Sequence, residues 1–275
     1  MSRSAGLARA GAALLLVWFG VGVSGVPAVG AVDDPSEGGL WYYTLPRFEE
    51  IHETGVRGQG ITVAIIDGPV YAESPDLVGA NFSVHEESFC DIERDGGFGL
   101  ERMVRQDSVE AEHATALASL IVGTGAGVNG QPGIFGVAPD ASVRLYVHAI
   151  QEFCGGAYAD DSFADAIDQA VADGADIISM SFGSSAWDEE SIGAITRAQR
   201  AGVILVAAAG HLETTDAMAW PAAFNGVVVV EAAGVDLKLS PSAVSDPLLT
   251  VVAPGVDIRV LSANRGWQEY YTTTG

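Results

Sequence analysis

Six residues, Ile61-Thr62-Val63-Ala64-Ile65-Ile66, run without interruption into one carboxylate, Asp67, and then into Gly68-Pro69. An apolar, β-branched run of this kind has no polar face to present to water. It predicts a strand covered on both sides, as in a parallel sheet. Asp67 then falls at the strand's carboxyl end, where open α/β sheets gather their ligands, and Gly-Pro turns the chain there. Taken alone, an Asp before a Gly is also a common turn cap. Its meaning depends on the partners that the rest of the chain supplies.

The remaining chain alternates. Short apolar runs at Val143–Val147, Ile177–Met180, Val203–Ala208, Val227–Val230 and Leu249–Val252 predict further buried strands. Between them, Phe163, Ala166, Ile167, Ala170 and Val171 recur at helical spacing, predicting a helix over about 161–173 that Gly174 stops. A second stripe, Ile192, Ile195 and Ala198, ends at Gly202, and His113 to Val122 forms an Ala/Leu-rich helix free of Gly and Pro. The expected fold is α/β, a doubly wound and mostly parallel sheet with helices on both faces. Ser83–Val109 is expected to be an insertion loop. Residues 32–55 form a short acidic lead-in with Trp41-Tyr42-Tyr43, and residues 56–275 are the expected main domain.

With 13 basic against 36 acidic residues, the net charge is −23. Such a surface repels nucleic acid and anionic membranes, so neither is an expected partner. Residues 1–31 differ: Arg3 and Arg9 precede an apolar run from Ala10 to Val23, and Val29-Gly30-Ala31 offers small residues for cleavage. This is the pattern of a secretory signal peptide, with an uncleaved anchor as the alternative. Export implies an oxidising compartment, where Cys90 and Cys154, the chain's two cysteines, are expected to pair; two unrelated buried thiols are the alternative.

Several chemistries are excluded by order. Gly123-Thr124-Gly125-Ala126-Gly127 follows a helix instead of linking strand to helix, so it is no dinucleotide fingerprint. Neither a phosphate-binding G-x-x-x-x-G-K-[ST] nor a G-x-S-x-G elbow occurs. What remains is acyl transfer using Asp and His from different elements. His113 begins a helix; beside a strand-end Asp, one ring nitrogen is fixed by the carboxylate and the other is free to act as a general base.

At this point a family resemblance emerges, covering Gly60 to the end. Val63-Ala64-Ile65-Ile66-Asp67 resembles the aspartate strand of the subtilisin-like serine proteases. His113-Ala114-Thr115-Ala116-Leu117-Ala118-Ser119 resembles their histidine helix, H-G-T-H-V-A-G, and Gly136-Val137-Ala138-Pro139-Asp140-Ala141 their G-V-A-P-x-A. Ile177-Ile178-Ser179-Met180-Ser181-Phe182-Gly183 is similar to the segment that pairs with substrate as an added strand. Val206-Ala207-Ala208-Ala209-Gly210 is similar to the wall of the primary specificity pocket, and Ala253-Pro254-Gly255 to a later landmark.

The resemblance implies catalytic roles for Asp67 and His113, and substrate contacts for Ser181, Phe182, Gly183, Ala208, Ala209 and Gly210. It departs in four places. Asp67 is followed by Gly-Pro, a D-G-P-V form that looks like subtilases of peptide-maturation clusters. Ala116 stands for the usual second histidine. His211 stands for the Asn that donates to the oxyanion; it either takes that duty or is a surface residue of an altered loop. Finally, the nucleophile's G-T-S-x-A-x-P lies beyond this sequence, which stops at Thr272-Thr273-Thr274-Gly275. The lead-in is also too short for the family's usual folding propeptide.

The expected protein is a monomeric, secreted endopeptidase with an Asp-His-Ser triad, acting on peptides or proteins, its serine and the C-terminal part of the domain lying outside this chain. A non-catalytic peptide-binding relative is the alternative. No cofactor is expected. Calcium is common in the family, but the acidic loops Glu86–Asp95 and Asp160-Asp161 do not identify a calcium or other metal site.

Overall fold

The computed structural model describes residues 37–89, 104, 109–148, 160–184, 188–211 and 217–275. The predicted signal segment, Cys90 and Cys154 lie outside the described residues.

The strands are β1 (Thr62–Asp67), β2 (Phe82–Val84), β3 (Ser142–Val147), β4 (Ile177–Met180), β5 (Ile204–Ala208), β6 (Val228–Ala233) and β7 (Val251–Pro254). They form one parallel sheet in the order β2-β3-β1-β4-β5-β6-β7. β1 pairs with β3 on one side (Ile65 opposite Leu145) and with β4 on the other (Ile65 opposite Ser179). The chain therefore lays β2 and β3 on one side of β1, β3 between the other two, then reverses to build β4 to β7 outward on the other. That reversal opens a crevice at the strands' carboxyl ends.

Alternation along β1 explains its apolar run. Val63 and Ile65 pack with Ala114, Ala118 and Val122 of α3 (Glu110–Val122). Ala64 and Ile66 join Ile167 and Ala170 of α4 (Asp160–Ala172) and Ile195 and Ala198 of α5 (Glu189–Arg200). Successive side chains of a strand leave by opposite faces, so two helical layers demand two apolar faces. Fully burying an Ile side chain stabilises the fold by about 1.5–3 kcal/mol.

Helix ends follow local chemistry. The Asp188 carboxylate accepts the Ser191 N–H at 2.6 Å to cap α5, whose first turn carries Glu189 and Glu190 and whose last turn carries Arg197 and Arg200. Each sign complements the helix dipole. Gly174 (φ 83°) and Gly202 (φ 85°) close α4 and α5 in the left-handed conformation. The Ala175 N–H reaches the Ala170 carbonyl, and the Val203 N–H that of Ala198, in the same C-terminal closure.

Ser83–Val109 is not wholly a loop. Its start belongs to β2, an edge strand paired with β3 (Phe82 opposite Val143), and Phe89 bridges to His148. Two further features lay outside the sequence pattern. An antiparallel hairpin, β8 (Ile258–Leu261) and β9 (Tyr270–Thr273), follows the sheet. Upstream, a 3-10 turn (Glu37–Gly39) and α1 (Trp41–Thr44) pack against it, and α2 (Phe48–Glu53) packs on α1, with His52 Nε2 3.0 Å from the Val137 carbonyl. Leu40, Trp41 and Tyr42 share a buried cluster with Ile258, Leu261, Trp267 and Tyr270. Trp41 Nε1 donates to the Val256 carbonyl at 2.9 Å, and the Tyr42 hydroxyl to that of Phe135 at 2.8 Å.

Asp76 is the polar centre of this region. It is fully buried and accepts the Tyr270 hydroxyl at 2.7 Å and the Ile134 N–H at 3.0 Å, with a longer contact of 3.4 Å from Gly127. The glycine-rich loop wraps the carboxylate so closely that a Cβ on Gly133 would stand 2.1 Å from Asp76 Oδ1. Arg259, lying over the Tyr270 ring, donates to the carbonyls of Pro132 and Gly38.

Candidate active site

β1 delivers Asp67 to the carboxyl edge of the sheet, 2% exposed. One carboxylate oxygen accepts the N–H of Gly68 at 2.8 Å, which holds the side chain back over its own turn. His113 lies in the first turn of α3, and its Nδ1 is 2.9 Å from Asp67 Oδ1 and 3.0 Å from Oδ2. An ionised carboxylate can only accept, so Nδ1 carries the proton and Nε2 of the neutral ring keeps its lone pair. The His113 side chain is 54% exposed, so the ring is held along one edge and open elsewhere. The Asp67 charge raises the His113 pKa above its usual value, with partial burial working the other way.

Thr115 ties the two elements together. Its hydroxyl donates to the Ala111 carbonyl at 2.6 Å and accepts the Tyr71 N–H at 2.9 Å. The turn leaving Asp67 is thereby bonded to the helix two residues beyond His113. Beneath this pair, the His148 N–H donates to the Asp67 carbonyl at 2.8 Å. The His148 ring packs against Phe163 and Phe182 at centroid distances of 5.5 and 5.8 Å. Burial pushes its pKa down to about 4, so it is neutral at physiological pH. Neither Thr115 nor His148 stood out in the sequence as a site residue. The readable signal for His148 was an imidazole ending an apolar run, as Asp67 ends β1.

The segments expected to hold substrate follow β4 and β5 at the same edge. Ser184 exchanges both backbone bonds with Trp220, at 2.9 and 2.8 Å, just past Ser181–Gly183. Gly183 is required by crowding, since a Cβ there would lie 2.5 Å from Ala219 Cβ. Ala208 ends β5, Ala209 is buried with its N–H on Val230 and its carbonyl on Ala219, and Gly210 has φ 112°. His211 pairs with Ala243 across an antiparallel bridge, its Nδ1 3.4 Å from the Ser242 hydroxyl. The structure thus brings Asp67 and His113 into direct contact and gathers Ser181–Gly183 and Ala208–Gly210 at the same sheet edge. It engages His211 with the 240–243 segment.

Among the described residues, no group of three or more His, Cys, Asp or Glu is arranged to hold a metal ion. No helix among them is long and apolar enough to cross a membrane.

A carboxylate and an imidazole presented by a β-strand end and a helix start, in a doubly wound parallel sheet, are set on a subtilisin-like fold. The chain belongs to the Subtilase family, whose sequence profile matches residues 58–275. It is 33% identical over 215 residues to the major intracellular serine protease of Bacillus subtilis (strain 168), covering 76% of this chain and 62% of that protein. It is 30% identical over 221 residues to a thermostable alkaline protease of Halalkalibacterium halodurans, covering 79% and 54%. The chain thus spans somewhat more than half the length of these relatives. Among solved structures, a mutant of the protease domain of PatA aligns with a TM-score of 0.64 at 25% identity, over 80% of this chain and 75% of that one.

Proposed function

We propose that this chain is part of a secreted serine endopeptidase in which Asp67 orients His113, His113 is the general base, and the nucleophilic serine lies downstream of Gly275. The observation that carries this reading is the contact of both Asp67 oxygens with His113 Nδ1, at 2.9 and 3.0 Å. It leaves Nε2 as the nitrogen able to take a proton from an attacking hydroxyl. Peptide or protein substrate would lie along Ser181, Phe182 and Gly183 as an added strand, with Ala208, Ala209 and Gly210 walling the pocket. No cofactor enters the reaction.

Export rests on residues 1–31, with their Arg3/Arg9 start, apolar centre and small-residue end. In the compartment so reached, Cys90 and Cys154, both outside the described residues, are the two thiols that would be oxidised as a pair. The relatives include an intracellular protease, so the route is assigned from this segment alone.

A second reading, a peptide-binding relative without catalysis, is favoured by His211, which faces Ser242 at the position of the family's amide donor. The two separate on one experiment. The polypeptide encoded by the continuous frame through and beyond Gly275 is expressed, and cleavage of a fluorogenic peptide is measured with and without His113→Ala. Loss of His113 should lower turnover by several orders of magnitude. Equal rates in both, or a stop codon directly after Gly275, would sink the enzymatic reading.

A further inference from the structure

Tyr270 and Tyr271 are consecutive in β9, so their side chains leave the strand on opposite sides. Each ends on a carboxylate. The Tyr270 hydroxyl donates to Asp76 Oδ2 at 2.7 Å, and the Tyr271 hydroxyl donates to Glu112 Oε1. Asp76 lies nine residues beyond Asp67 on the segment that β1 feeds, and Glu112 directly precedes His113 on α3. One strand is therefore bonded to the element after the acid and to the element bearing the base.

The Glu112 contact is doubled. Its other oxygen, Oε2, accepts the Ala263 N–H at 2.6 Å, from the turn just after β8. A carboxylate in a helix's first turn commonly serves the helix dipole alone. The two oxygens of Glu112 instead reach partners 151 and 159 residues away. Burial and the Glu112 bond together push the Tyr271 hydroxyl up to about 12, which keeps it protonated and donating. Beyond Tyr271, the Gly275 N–H bonds to the Gly255 carbonyl at 2.9 Å, fixing where the chain leaves the hairpin.

We infer that Glu112 is a positioning residue: by clamping β8–β9 to the first turn of α3, it sets the span between His113 and the nucleophile-bearing segment after Gly275. This rests on the endopeptidase reading above. The role is geometric. Glu112 touches neither substrate nor a reacting atom in it, but a hydroxyl and an imidazole must meet at hydrogen-bond distance, and a misplacement of about 1 Å costs on the order of 10²-fold in rate.

The test uses the polypeptide of the continuous frame, in wild-type form and as Glu112→Ala, Glu112→Gln and Tyr271→Phe. Steady-state cleavage of a fluorogenic peptide is measured, and folding is checked by circular dichroism. Glu112→Ala should lower kcat roughly 10- to 100-fold with KM changed less than about twofold, because the substrate segments after β4 and β5 are untouched. Glu112→Gln keeps an oxygen for Ala263 and offers an N–H to the Tyr271 oxygen, so it should recover most of kcat despite losing the charge. Tyr271→Phe, which spares the Ala263 bond, should fall between. Wild-type kcat in a folded Glu112→Ala would overturn the inference while leaving the endopeptidase reading intact. So would a Gln variant as slow as the Ala variant, which would mark the charge as what matters. An inactive wild type would overturn both. Should the Ala variant not fold, the ranking of Gln above Phe decides the matter.

Discussion

Asp76→Ala should be among the most destabilising single substitutions available in the chain. The carboxylate is completely buried and accepts two well-formed bonds, from Tyr270 at 2.7 Å and Ile134 at 3.0 Å. The 3.4 Å contact from Gly127 is too long to count for much. Each donor left buried and unpaired costs about 1–3 kcal/mol, so the loss is about 4 kcal/mol. Loss of 4 kcal/mol should lower Tm by roughly 8–16 °C for a domain of this size. Thermal and urea unfolding followed by circular dichroism measure it. Asp76→Asn, which keeps the acceptor for Ile134, should cost clearly less. The two variants also differ with pH. Burial raises the Asp76 pKa above its usual value, so the protonated form is favoured by folding. Stability from this group is then fully present below the unfolded pKa and declines as pH rises through the folded one. The advantage of wild type over Asp76→Asn should therefore shrink from acid towards neutral pH. An Ala variant within 1 kcal/mol of wild type would refute the reasoning that this carboxylate anchors the glycine-rich loop and the hairpin.

Three further outcomes are expected. Followed by NMR, His113 should titrate above the usual histidine range, and Asp67→Asn should bring it down; its contribution to stability is present below the unfolded pKa and lost as pH rises through the folded one. An unchanged titration in Asp67→Asn would show that the carboxylate does not control the ring. Trp41→Ala removes a residue 1% exposed together with its bond to Val256, and should destabilise by about 3–5 kcal/mol in urea unfolding, as for a core aromatic and not a dispensable lead-in. Gly183→Ala places a Cβ 2.5 Å from that of Ala219, so the segment must shift: it should weaken peptide binding, read as a raised KM or as a higher Kd by fluorescence anisotropy, and cost about 1–3 kcal/mol of stability, read as a lowered Tm.

The elements legible in the sequence are those whose signal is local. β1, β3, β4 and α3 to α5 fall within a few residues of their expected bounds, because each buries a continuous run or a periodic stripe. The readings fail where a distant partner decides. The run expected to end at Val230 continues to Ala233 through Glu231, whose buried carboxylate is satisfied by the N–H groups of Ala232 and Val244. β2 is three residues beside a polar stretch and exists because β3 offers it a ladder. β8 carries Arg259 at 8% exposure, a cation that no strand pattern would place inside. The lead-in, set apart from the main domain by its composition, supplies Leu40, Trp41 and Tyr42 to a shared core.

By itself the sequence determined the layered α/β plan and the strand end where Asp67 stands, since apolar periodicity and turn residues act over a few neighbours. It also marked His113 as that carboxylate's partner, through the motif around it. Only the tertiary structure decided which of the chain's many acids are structural. Asp76 is enclosed by a loop more than 50 residues away, and Glu112 grips a hairpin some 150 residues away. Nothing in their neighbours distinguishes them from acids facing water. Burial and hydrogen bonding across such separations are properties of the packed chain, set by topology and not by any short stretch of residues.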